Sequence, residues 1–344
     1  MKHRVGWYFV AANAIGLLFL WLAARDLPFG EIVPYLRGAD LSRLAFWSLL
    51  FLLLYGVCHA ARVLRWEFLV RPIGDVERRP VDRAAALGFA AIVLLPLRLG
   101  ELVRPYLLAR RSDLSTSSLL ATAVVERVID GLFVTGLLFV TLATYSGGAS
   151  TGFATMTGLI AAAIFVPALL ICGLALWRRE WTLWVVESLA RPFSTSLAER
   201  GAELLDTFID GFLALAHRGI LGRFLVVTAI YWGTNVVSLW LLARYGFGLA
   251  IDPWNAVTVV AILVVGIMIP AGPALTGNFE YFVSKGMGLF VALEVVGARV
   301  AVFAALLHVL QFIVIVAPGF WVMWTDPAAR HLIEISERAR EELD

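Results

Sequence analysis

LPLRLGELVRPYLLARRSDLSTSSLLATAVVERVID, from Leu95 to Asp130, is the stretch that decides the fold. An apolar run broken by Pro96 and Gly100 carries Arg98, Glu101 and Arg104, and the next apolar helix opens with Glu126, Arg127 and Asp130 in its first turns. A charge at the centre of a spanning helix costs about 2.5–3.5 kcal/mol on insertion scales, so such residues face a bundle interior, pair with one another or line a solute path. The stretch reads as the working half of a transport site.

Composition places the chain in a membrane. Of its 344 residues 60% are hydrophobic and 16% charged, with a mean hydropathy of +0.85, which leaves too little polar surface for a soluble protein. The run Val5–Ala24 follows Lys2, His3 and Arg4; its length and lack of a clear small-residue cleavage site make it a retained helix, not a signal peptide. Cys58 and Cys172 each stand alone in an apolar run, and the five histidines show no metal-ligand spacing. No metal, cofactor or nucleic acid is expected. Neither a nucleophile constellation nor a Walker A motif is visible, so the chain is expected not to be an enzyme and not to couple directly to ATP.

Six full spans are expected: Val5–Ala24, Leu44–Ala61, Ser118–Tyr145, Gly152–Trp177, Ile220–Ala243 and Arg299–Trp324. Arg62, Arg65, Arg71, Arg78, Arg79 and Arg83 crowd the loop after the second span, which makes that loop and both termini cytoplasmic. Ala84–Leu97 is short for a span and reads as the first arm of a re-entrant hairpin; Arg110 and Arg111 mark the return. Residues 178–219 are a cytoplasmic amphipathic linker in which Ser196 and Glu199 are spaced as a capping box. A second interrupted pair follows, Trp254–Ile269, the break Pro270-Ala271-Gly272-Pro273, and an arm opened by Asn278, Phe279 and Glu280. Trp7, Trp21, Trp177, Trp181, Trp184 and Trp324 lie near the expected interfaces as an aromatic belt.

The interruptions fall in corresponding places. Pro96 and Pro270 differ by 174 positions, Glu101 and Glu280 by 179, Arg127 and Arg299 by 172. The chain therefore reads as a single all-α polytopic membrane domain of two halves in inverted topology, residues 5–145 and then 153–177 with 220–324. Paired broken segments of this kind place a transport site near the midplane.

The run PLRLGELVRPYLL, followed by SLLATAVVERVIDGL, resembles the signature of the lysylphosphatidylglycerol synthase transmembrane region, also called the flippase-like or UPF0104 family. The later Pro-x-x-Pro, Gly277 and Glu280 resemble that family's second signature, with sparser glycines. The resemblance implies a bacterial-type cytoplasmic membrane and a unit that moves an aminoacylated phospholipid between leaflets, beside a separate lipid-modifying synthase. Other relatives sit beside hopanoid or polyprenyl-linked glycolipid pathways. The implied site is Arg98, Glu101, Arg104, Glu126, Arg127 and Asp130, with Asn278, Glu280 and Arg299 from the second half.

The residues support that site on their own terms. Arg98, Glu101 and Arg104 share a face at three-residue spacing, and Glu126 with Asp130 sets a carboxylate pair beside the Arg127 guanidinium, whose planar fork suits a lipid phosphate. An anionic or zwitterionic headgroup would pass through the groove while its acyl chains stay in lipid. Three alternatives stand beside this: a closed structural ion-pair network, a proton-coupled solute transporter using Glu101, Glu126 and Asp130, and a membrane-embedded accessory or transferase of lipid-linked glycan or hopanoid metabolism. Small residues such as Gly131 and Gly136 permit the close packing of a homo-oligomer without fixing one.

Overall fold

The computed structural model describes residues 2–25, 28–95, 100–144, 151–192, 194–217, 219–269 and 272–326, and among them every regular element is helical. Pro96, Arg98, Pro270 and the tail from residue 327 lie outside the described residues. The helices are α1 (Lys2–Ala24), α2 (Phe29–Gly38), α3 (Leu41–Val70), α4 (Arg78–Leu94), α5 (Gly100–Ala109), α6 (Thr116–Thr144) and α7 (Thr151–Trp177). Then come α8 (Arg179–Ala190), α9 (Thr195–His217), α10 (Ile220–Leu241), α11 (Pro253–Ile267), α12 (Asn278–Met287) and α13 (Leu293–Thr325). Among the described residues three helices are long and apolar enough to cross a membrane: α3, α10 with the π turn that extends it to Gly246, and α13.

Local chemistry sets the boundaries. Asp40 caps α3 by accepting from the Arg43 amide at 3.0 Å, and Asp252 caps α11 by accepting from Asn255 at 2.7 Å with Pro253 in the first turn. Nothing breaks α3 before Pro72. The helix therefore runs nine residues past the expected end at Ala61 and carries Arg62, Arg65 and Trp66 inside it. The expected linker resolves into two helices, with Arg179 on α8 donating to Asp206 and Asp210 on α9, both at 2.7 Å. Ser196 lies within α9 and is not its N-cap. The tryptophans expected at the interfaces are exposed where their side chains are described: Trp21, Trp177, Trp181, Trp184 and Trp324.

Packing pairs the halves crosswise. α3 lies against α10, α4 against α13, and α6 against α11. Within each half two shorter helices fold back on one another, α4 on α5 and α11 on α12. Glycine makes both contacts close. A Cβ on Gly88 would sit 2.4 Å from the Arg104 Cβ, and one on Gly266 would sit 2.1 Å from the Phe282 ring; both members of the second contact stand 178 positions after those of the first. Arg83 near the start of α4 and Arg111 just past α5 both reach Asp326 at the end of α13, at 3.5 and 2.8 Å, so the first hairpin begins and ends at the same end of the molecule. At the opposite end Arg43 donates to the Tyr245 carbonyl, and Arg299 to the Gly248 carbonyl at 3.3 Å.

Candidate functional site

The charges of the 95–130 stretch meet α3. Arg104 on α5 donates through Nη2 to Glu126 Oε2 on α6 at 2.7 Å, and Arg65 on α3 donates to Asp130 Oδ1 at 2.6 Å. All four side chains are buried. Arg127 is 23% exposed and sits with Nη2 3.4 Å from Glu126 and 3.3 Å from Asp130, in ion-pair range of both. Glu101, at the start of α5, acts electrostatically on the same guanidinium.

Aromatic faces hold the arginines. Arg104 lies over Trp66 and Phe89 at 4.5 and 4.9 Å, Arg65 over Tyr231 at 4.9 Å, and Arg62 over Phe89 at 4.1 Å. Trp66 is fixed in turn by donating to Thr122 at 3.0 Å. The cluster sets four guanidiniums, from Arg62, Arg65, Arg104 and Arg127, against the carboxylates of Glu126 and Asp130, with Glu101 at its edge. Among the described residues, Arg62 Nε, Arg65 Nε and Nη1, and Arg104 Nε and Nη1 have no hydrogen-bond partner. Glu126 Oε1 and Arg127 Nη2 are likewise without one, so the ion pairs leave part of the cluster's hydrogen-bonding capacity open.

A central cavity of about 100 Å³ opens beside the cluster. Arg62, Arg127, Asp130 and Tyr231 line it together with His308 and Gln311 of α13. Gln311 accepts from the Tyr55 hydroxyl at 3.1 Å, and Asn235 of α10 completes the polar lining. Two parts of the helical scaffold thus converge on one chamber.

The second-half residues behave differently from one another. Glu280 caps α12 by accepting from the Gly277 amide at 2.8 Å and meets His308 Nδ1 at 2.6 Å. Asn278 is buried and donates to the Ile269 carbonyl at 3.1 Å, tying the two sides of the break. Arg299 stands apart: besides Gly248, its guanidinium lies over the Tyr35 ring at 5.8 Å, and it does not line the central cavity. His308 stands 178 positions after Asp130, the same offset as separates the two glycine contacts. Of the remaining expected residues, Arg98 lies outside the described ones. Arg62, Arg65 and Tyr231 join the cluster without standing among the expected site residues; the spacing of His59, Arg62 and Arg65 on a helix extended past Ala61 is the signal for the two arginines, and Tyr231 has none. No group of three or more metal-ligating side chains occurs among the described residues.

The family model for the lysylphosphatidylglycerol synthase transmembrane region matches residues 9–319. The chain belongs to that family. The matched span takes in both hairpins and every described member of the charged cluster. The chain is also 26% identical over 301 residues to glycosyltransferase AglD of Haloferax volcanii, a match that covers 79% of this chain and 47% of AglD. About half of that relative thus lies outside the likeness. No solved structure matches. Family membership and the apolar helices together make this an integral membrane protein.

Proposed function

We propose that the chain is a lipid translocase, without a catalytic step of its own, that moves a polar-headgroup lipid between leaflets. The observation that carries this reading is the central cavity, lined by Arg62 and Arg127 together with His308 and Gln311. A phosphate there would meet the Arg62 guanidinium held over the Phe89 ring and the Arg127 guanidinium held beside Glu126 and Asp130, so little ordering cost is left to binding. The acyl chains would remain in lipid at the lateral face.

The architecture that suits this function is an inverted repeat in the cytoplasmic membrane, with six full spans and with α4–α5 and α11–α12 as hairpins re-entering from opposite sides. Both termini are then cytoplasmic. The meeting of Arg83 and Arg111 at Asp326 supports a first hairpin that returns to its side of entry. The likeness to AglD, named a glycosyltransferase, favours a glycolipid or lipid-linked sugar among the substrates and a separate synthase as a partner.

Proteoliposomes with headgroup-labelled lipid test the proposal. Protein-dependent exchange of label between leaflets supports it; folded protein that moves no anionic, zwitterionic, aminoacylated or glycosylated lipid would return the weight to a solute transporter.

A further inference from the structure

His308 is held on three sides. Its Nε2 lies 2.7 Å from the Ala274 carbonyl oxygen, its Nδ1 lies 2.6 Å from Glu280 Oε1, and its ring stacks on Phe279 at 4.3 Å and 13°. A carbonyl only accepts, so Nε2 must carry a hydrogen. The second contact then also requires one, because a bare Nδ1 lone pair facing a bare carboxylate oxygen would repel. One proton therefore lies between His308 and Glu280, whichever atom carries it.

The place of this pair gives the proton a role. His308 lines the central cavity with Arg127 and Asp130. Glu280 lines a second, apolar cavity of about 220 Å³ between α1, α2, α12 and α13. The carbonyl that His308 holds belongs to the break in the second hairpin, where Ala274 and Leu275 both adopt left-handed backbone, at φ 59° and 58°. Such residues cost free energy and persist only when their surroundings hold them. Leu275 itself lines the central cavity.

We infer that His308 and Glu280 form a proton-binding site between the two cavities, and that loss of its proton releases the break of the second hairpin. On deprotonation the proton leaves to water and the neutral imidazole keeps a single N–H, which cannot serve the Glu280 carboxylate and the Ala274 carbonyl at once, so the ring's clasp on the break is lost. The contact is thus present at low pH and lost as pH rises. The surrounding elements add few competing charges. α3 presents Tyr55 and Arg62 to the shared cavity, α6 Arg127 and Asp130, and α10 Tyr231. Lys285 on α12 leans over Tyr281 at 5.6 Å, Tyr35 of α2 turns to Arg299, and the charged residues of α4 lie in its first two turns. The described side chains of α1, and the whole of α11, carry no titratable group. The proton site stands on this geometry alone; its coupling to transport rests on the translocase reading.

Glu280→Gln separates the proton from the contact. A glutamine amide can donate to a neutral Nδ1 while its carbonyl accepts from Gly277, so the hairpin keeps its clasp with no proton to lose. Amide hydrogen exchange over residues 272–282, corrected for the intrinsic chemical rate, is read in nanodiscs between about pH 6 and about pH 9. Wild-type protection is expected to fall by about tenfold or more over this interval while the variant stays level. Imidazole ¹⁵N spectra of the wild type supply the second readout, with one of the two ring nitrogens expected to lose its hydrogen in the interval where protection falls. A level wild type, a variant that falls in parallel, or two ring nitrogens both unchanged while protection falls overturns the inference. None of these readouts needs lipid movement. A proton-dependent hairpin in a protein that moves no lipid would fail the translocase reading alone, and lipid movement with a proton-blind hairpin would fail this inference alone.

Discussion

Arg104 and Glu126 meet at 2.7 Å with their side chains 2% and 0% exposed, one on the return arm of the first hairpin and the other on the helix that follows it. Their pairing fixes α5 against α6 and so sets the wall on which Arg127 stands. A buried pair of this kind is weak evidence for stability in itself, but removing one partner leaves a buried charge uncompensated.

Glu126→Gln is accordingly expected to destabilise the protein by about 3–5 kcal/mol, and Arg104→Met with Glu126→Met together by less than Glu126→Gln alone. Thermal unfolding in one detergent, followed for Glu126→Gln, Arg104→Met, Glu126→Met and the Met/Met double, checks this. Additive losses would argue that the residues act independently.

The first hairpin depends on backbone contact at Gly100. An added Cβ there would lie 2.0 Å from the Ile92 nitrogen and 2.1 Å from the Ala91 carbonyl carbon, atoms that cannot swing aside. Gly100→Ala is expected to abolish folded yield or lower the unfolding midpoint sharply. Gly136→Ala, where nothing lies within 4 Å, is expected to be neutral or to stabilise by up to about 1 kcal/mol. Monodisperse yield on size exclusion reports both.

Arg179 behaves as a surface residue. Its bonds to Asp206 and Asp210 push its already high pKa further up, but all three side chains are well exposed. Arg179→Ala is expected to cost under about 1 kcal/mol and to lose that difference at high salt. A larger loss in the unfolding assay would mean that the α8–α9 pair bears on the core.

The ends of the bundle face opposite compartments in the proposed topology. A cysteine introduced as Arg110→Cys should be labelled by an impermeant maleimide only from the cytoplasmic side, and one introduced as Arg37→Cys only from outside; both arginines are exposed. Labelling of both from one side would break the assignment of the first hairpin.

How far the site was legible follows from where its partners come from. Glu126, Arg127 and Asp130 stand out in any apolar helix, and their mutual spacing already puts them on one face. Arg62 and Arg65 did not stand out, because arginines at the end of an apolar run look like ordinary cytoplasmic anchors; the helix simply continues, and the third dimension brings Arg65 to Asp130 across 65 positions. Arg299 enters the implied site through the family resemblance, and the structure sets it on the Gly248 carbonyl and the Tyr35 ring, apart from the cavity. His308 carries no local signal in the sequence, because its partners are a carboxylate 28 positions away and a backbone carbonyl 34 away, and a carbonyl has no sequence signature.

The measurement that tests the central claim most directly is translocation of headgroup-labelled phospholipid in proteoliposomes, wild type against Arg127→Ala, with matched incorporation and unfolding midpoints. Loss of one charged hydrogen-bonding partner to the headgroup corresponds to about a tenfold or greater fall in rate, and that fall is the predicted result. Equal rates for the two proteins would contradict a headgroup path along the Arg127 wall, and no movement of any lipid by the folded wild type would contradict translocation itself.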